Sequence, residues 1–194
     1  MAGYSIYSSA PNTIISASRF DSTYPPLYLA TGGTILDCIV KSSQTSGNII
    51  TINGNAIYSN VALVRNCVIY AASLGPGGLT ALSMNYLVGS IVQNNIMYFA
   101  QPSIGTPLAL ARTTIEDYNC TNATGLSGPN SLNATDPLFV DAAGGDFRPT
   151  NPAVLRGGVP DIVGNPTQMG AIHSKHQFIS KARAANYSRL SIFK

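Results

Sequence analysis

Ile35-Leu36-Asp37-Cys38-Ile39-Val40, Val64-Arg65-Asn66-Cys67-Val68-Ile69, Val92-Gln93-Asn94-Asn95-Ile96-Met97 and Ile115-Glu116-Asp117-Tyr118-Asn119-Cys120 are four versions of one short pattern. Each runs apolar, any, Asn or Asp, any, then mostly apolar. Measured at the Asn/Asp, the spacings are 29, 28 and 23 residues. A repeat of this length marks a solenoid, in which one unit cannot bury its apolar face until the next stacks on it.

Second apolar runs lie between these segments: Ile49-Ile50-Thr51-Ile52, Leu79 through Met84, and Pro107 through Ala111. Each follows a turn cluster: Thr45 through Asn48, Gly75-Pro76-Gly77-Gly78, and Pro102 through Thr106. Short β-branched runs punctuated by Gly, Pro, Asn and Ser indicate strands, not helices. Stacked in parallel, equivalent residues fall about 4.8 Å apart. Asp37, Asn66, Asn94 and Asp117 are therefore expected in one column, hydrogen-bonded from rung to rung as a structural ladder. Cys38 and Cys67 should stack beside it as small buried apolar groups.

The 194 residues allow one domain with a real core, and only 10% of them are charged. Three cysteines do not make a disulfide framework. Residues 1–161 hold six Lys/Arg and all eight Asp/Glu, a net −2, whereas residues 162–194 hold five Lys/Arg and no acid. The start, Met1 through Ser9, lacks the basic and apolar regions of a secretory signal. No stretch reaches the roughly 18–20 apolar residues of a membrane span. The expected place of synthesis is the cytoplasm, without a membrane partner.

The segment Asp136-Pro137-Leu138-Phe139-Val140-Asp141, continuing to Gly145-Asp146-Phe147-Arg148-Pro149, Asn151-Pro152-Ala153 and Met169-Gly170-Ala171-Ile172, resembles the ending of right-handed parallel β-helix proteins of the pectate-lyase-like superfamily. The resemblance spans about residues 113–172 and implies an all-β chain: a short right-handed parallel β-helix of about four rungs. It makes Asp136, Phe139, Asp141, Asp146 and Phe147 a closing motif that caps the C-terminal end. The departures are Asn151 where Ser is usual and a short repeat region. Lyases, adhesins and phage spikes share this ending, so it implies no single activity.

Residue chemistry argues against catalysis. Paired glycosidase carboxyls stand about 5–9.5 Å apart. Asp37 and Asp117 would be three rungs apart, and Glu116 and Asp117 should face opposite ways on one strand. Asp136, Asp141 and Asp146 fit turn hydrogen bonding. His173 and His176 have no third metal ligand nearby in sequence. There is no Gly-x-Ser-x-Gly elbow and no phosphate-binding glycine loop. No catalytic residue, metal or cofactor is expected.

The resulting organisation is an N-terminal arm or cap over 1–30, a β-helix with its closing motif over 31–172, and a basic tail over 173–194. In the tail, Phe178, Lys181, Arg183, Arg189, Leu190 and Phe193 form a candidate partner-binding set; its charge density is too low to favour nucleic acid. Short solenoids of this kind resemble bacteriophage virion components: capsid decoration or cement proteins, head fibres and spikes. That resemblance implies a structural protein located in the virion, partnered by the major capsid or another virion protein. It also implies a homo-oligomer, with a trimer among the arrangements allowed. The rival reading is a carbohydrate-binding or polysaccharide-cleaving spike or adhesin domain, with Tyr58, Tyr70, Tyr86 and Tyr98 stacking on sugars.

Overall fold

A computed structural model of the chain describes residues 6–54, 61–73, 77–110 and 114–171. The chain winds through five rungs of three strands. The first holds β1 (Ile6–Ser8), β2 (Ile14–Ser16) and β3 (Arg19–Ser22); the second holds β4 (Leu27–Leu29), β5 (Gly33–Leu36) and β6 (Ile39–Ser42). The third holds β7 (Gly47–Asn53), β8 (Ala62–Arg65) and β9 (Val68–Ala71); the fourth holds β10 (Leu79–Asn85), β11 (Ser90–Gln93) and β12 (Ile96–Phe99). The fifth holds β13 (Gly105–Leu110), β14 (Thr114–Asp117) and β15 (Cys120–Thr121). Equivalent strands pair in parallel to make three five-stranded sheets: A (β1-β4-β7-β10-β13), B (β2-β5-β8-β11-β14) and C (β3-β6-β9-β12-β15). The molecule is a short parallel β-helix.

Alternation along each strand sends one side chain inward and the next outward. In sheet B the inward column is Ile15, Ile35, Val64, Val92 and Glu116. Its apolar members join inward residues of sheets A and C, such as Leu27, Ile50, Leu82, Val40, Ile69 and Met97, in one continuous core. Burial of each such side chain contributes about 1.5–3 kcal/mol. Between sheets B and C the chain turns through a left-handed residue in every rung: Ala17 (φ 46°), Asp37 (53°), Asn66 (55°), Asn94 (61°) and Tyr118 (54°). Asn and Asp tolerate this conformation best among residues with a side chain, which is why the repeat shows in the sequence.

Two expectations need correction. Five rungs form, not about four, and residues 6–22 of the expected N-terminal arm or cap are the first of them, paired in register with rung two. That rung lacks the sequence pattern because Ala17 stands at the turn. The closing motif, in turn, does not cap the C-terminal end. Residues 123–135 do that: Leu132 bridges Cys120 in parallel, and Leu126 is buried against the core.

The closing motif instead forms a hairpin, β16 (Phe139–Asp141) with β17 (Asp146–Pro149), followed by α1 (Pro152–Arg156). Asn151 caps α1, accepting from the Ala153 N–H at 2.9 Å, and Pro152 opens its first turn. This segment lies along the outer face of sheet C. There Ile39, Val68, Ile96 and Cys120, which point away from the solenoid interior, join Phe147, Val154, Met169 and Ala171 in a second core. The hairpin tip reaches rung one, where Arg19 Nη1 donates to the Gly145 carbonyl at 3.0 Å. Gly145 has φ 87°, and a Cβ there would collide with the Arg19 guanidinium.

Candidate functional site

Three members of the expected ladder are in place. Asn66 Nδ2 donates to Asp37 Oδ1 at 3.0 Å, and Asn94 Nδ2 donates to Asn66 Oδ1 at 2.7 Å. Beyond rung four the column is finished by the C-terminal segment: Asn94 Nδ2 also donates to the Gln168 carbonyl, and Asn94 Oδ1 accepts from Val159 N–H. Asp117 is not a member. It pairs with Gln93, one position before Asn94, and Tyr118 takes the left-handed turn position instead. The fifth rung is thus offset by one residue from the expected register.

A second ladder was not anticipated. Asn95 and Asn119 are fully buried one residue further along the turn. Asn95 Oδ1 accepts from Cys67 N–H at 2.9 Å, and Asn119 Oδ1 accepts from both Asn95 N–H and Asn95 Nδ2 at 3.0 Å. The signal in the sequence was Asn95 and Asn119 following the turn residue, where the two preceding rungs have Cys38 and Cys67. Those cysteines do stack, with Val68 N–H bonding the Cys38 carbonyl. Each thiol donates to a backbone carbonyl two residues back, at 3.1 Å.

Glu116 ends the sheet B core column with a carboxylate. Its Oε1 accepts from Asn119 Nδ2 and Ser131 Oγ, and its Oε2 accepts from Ser127 N–H, Ser127 Oγ and Gly128 N–H. Burial disfavours the charge, but these hydrogen bonds outweigh it and hold the carboxyl below its usual range. Asp117 likewise faces the cap, accepting from Asn130 N–H and Asn130 Nδ2 at 2.8 and 2.9 Å. Both acids clip the terminal loop over the last rung.

Four of the remaining acids act locally: Asp136 accepts from Leu138 N–H, Asp141 from Gly144 N–H and Asp161 from Asn165 N–H, and Asp146 pairs with Arg148, whereas Asp21 pairs with Lys41 of the next rung at 3.7 Å. Among the described residues no group of three or more His, Cys, Asp or Glu is placed to hold a metal ion. Burial pushes the Cys67 thiol up, and it pushes Cys120 up to about 12 with Asp136 adding to the effect, so neither is a ready nucleophile at neutral pH. Tyr70 and Tyr98 stack on each other at 5.5 Å, half-buried, with Phe147 against Tyr70 and Phe139 against Tyr98. Tyr86 is exposed. Tyr58, His173, His176 and the tail residues Phe178, Lys181, Arg183, Arg189, Leu190 and Phe193 lie outside the described residues. No described helix is long and apolar enough to cross a membrane.

What remains is the outer face of sheet B. Its first outward column is Ile14, Thr34, Leu63, Ile91 and Ile115; the second is Ser16, Leu36, Arg65, Gln93 and Asp117. Ile14 and Ile115 are 70% and 54% exposed. Sheet C has the same apolar outward character but is covered by the chain's own C-terminal segment. Sequence signalled this face in Thr34-Ile35-Leu36, Leu63-Val64-Arg65 and Ile91-Val92-Gln93, where consecutive apolar residues must point to both sides. No protein-family model matches the chain, and no curated protein or solved structure matches it.

Proposed function

We propose that this chain is a non-enzymatic structural subunit of a large assembly, as a bacteriophage capsid decoration, cement, head-fibre or spike protein would be. The observation that carries the reading is the outward apolar column of sheet B, on a solenoid whose Glu116, Asp117 and thiols are engaged in holding its own turns and cap. An apolar face of this kind, beside polar residues, is characteristic of interaction surfaces. The low charge content supports a surface largely covered by partners, as in a virion. The basic tail supplies a second contact, with Lys181, Arg183 and Arg189 steering approach and Phe178, Leu190 and Phe193 anchoring. Self-association is part of the same reading.

The test is co-purification. The full chain should band with intact particles on a density gradient, and a variant lacking residues 174–194 should remain folded but be depleted from them at least tenfold. A full chain absent from particles, or a truncated one at full occupancy, refutes the corresponding part.

A further inference from the structure

Gly170 and Ala171 bring the chain out at the corner between sheets B and C. Gly170 N–H donates to the Asn94 carbonyl at the fourth-rung turn, and a Cβ on Gly170 would strike Ile96 and Val68. Ala171 is buried in the second core. This strip follows the turn column from rung four toward rung three. The outer face of sheet B begins one residue before that column, at Leu36, Arg65 and Gln93. Residues 172–194 therefore continue from the rim of an apolar face that leaves Ile14 and Ile115 exposed.

We infer that residues 172–194 fold back over the outer face of sheet B of their own chain, as residues 136–171 do over sheet C. Where the tail starts selects this occupant over a second molecule. Its 23 residues reach up to about 75 Å when extended, whereas five rungs span roughly 19 Å. A segment joined at the rim meets the face at an effective concentration in the millimolar range, above that of any micromolar partner. Composition agrees: Phe178, Leu190, Ile192 and Phe193 supply apolar side chains for the column of Ile14, Leu63, Ile91 and Ile115. Charge agrees too. The tail holds five Lys/Arg and no acid, against a net −2 over residues 1–161. Asp37, at the same corner, accepts a hydrogen bond from Asn66, and no cation forms an ion pair with it among the described residues.

In the free chain the two contacts proposed for assembly then cover one another, and a neighbouring subunit engages by changing places with the tail. That exchange rests on the structural-subunit reading above; the covering itself does not. A chain that never joins particles can still keep its tail on sheet B. One that joins them with Ile91 bare in solution keeps that reading and loses this one.

The full chain carrying Ile91→p-benzoylphenylalanine tests the covering directly. On illumination it should cross-link within one chain, to peptides from residues 172–194, in a species of monomer mass. The same probe at Ala109, exposed on the outer face of sheet A, should not. Adding Phe178→Asp, Leu190→Asp and Phe193→Asp should cut the Ile91 cross-link at least fivefold with an unchanged circular dichroism spectrum. Cross-links that join two chains make a second copy the occupant and overturn the inference. So do an Ile91 probe that never captures residues 172–194, equal capture from Ala109, or a yield untouched by the three tail substitutions.

Discussion

Glu116 offers the sharpest check on how the last rung is closed. Replacing it by Val would complete the apolar column Ile15, Ile35, Val64 and Val92, and hydrophobic reasoning alone would expect a gain. The hydrogen bonds say the reverse. Five donors converge on the carboxylate: Asn119 Nδ2, Ser127 N–H and Oγ, Gly128 N–H and Ser131 Oγ. Bonds to a charged group contribute about 1.5–3 kcal/mol each, and stranded buried donors cost about 1–3 kcal/mol each. The loop can peel back and recover water for its own four donors, so the loss is capped at the cost of opening it, on the order of 3–5 kcal/mol. For a chain of this size that lowers the melting temperature by roughly 10 °C. Glu116→Gln keeps the shape but turns one acceptor into a donor, and should cost about 2 kcal/mol.

The same carboxyl sets a pH dependence. Its folded pKa lies below the unfolded value of about 4.3. Its stabilisation is therefore complete above that value and is lost as pH falls through the folded pKa. Urea unfolding of wild type and both variants at neutral pH, and again below pH 4, measures this. Wild type should lose stability on acidification more steeply than Glu116→Gln. If Glu116→Val unfolds within about 0.5 kcal/mol of wild type, the carboxylate does not hold the cap and the reasoning fails.

Phe147→Ala should cost about 3–5 kcal/mol, because the ring is 1% exposed and packs on Tyr70, Phe139 and the Arg19 guanidinium. Limited proteolysis should then cut within residues 136–171 before it cuts the three sheets; unchanged cleavage would show that the hairpin is held otherwise. Asn66→Ala should lose about 1–2 kcal/mol by breaking the ladder and straining φ 55°. Asn66→Gly should lose less because glycine accepts that backbone, and denaturant midpoints in the opposite order would contradict the ladder's dual role.

The fold was legible where side-chain chemistry is tied to backbone geometry. Asp37, Asn66 and Asn94 mark their rungs because the turn needs a left-handed residue and the ladder needs an amide or carboxylate. Ala17 meets the first need without the second, so rung one carried no mark. At the fifth rung Asp117 mimics the mark while Tyr118 holds the turn, which shifted the register by one. The placement of the closing motif was written less openly. Ile39-Val40, Val68-Ile69 and Ile96-Met97 are apolar pairs on alternating faces, so both sides of sheet C had to be covered. The resemblance of residues 136–149 to β-helix endings implied a cap on the last rung, whereas the segment lies along the outer face of sheet C.

The hairpin along sheet C also works as a ruler. Solenoids ordinarily lengthen or shorten by whole coils, since every coil meets its neighbours alike. Here one strip of chain spans the stack, touching Arg19 in rung one, Tyr70 in rung three and Tyr98 in rung four. An extra coil would move those contacts apart by about 4.8 Å, or roughly one and a half residues of extended strand. No whole number of residues restores the match, and a slip of one would turn Phe147 away from the sheet. Duplicating a coil would therefore cost this chain its second core, and its length is fixed from the flank.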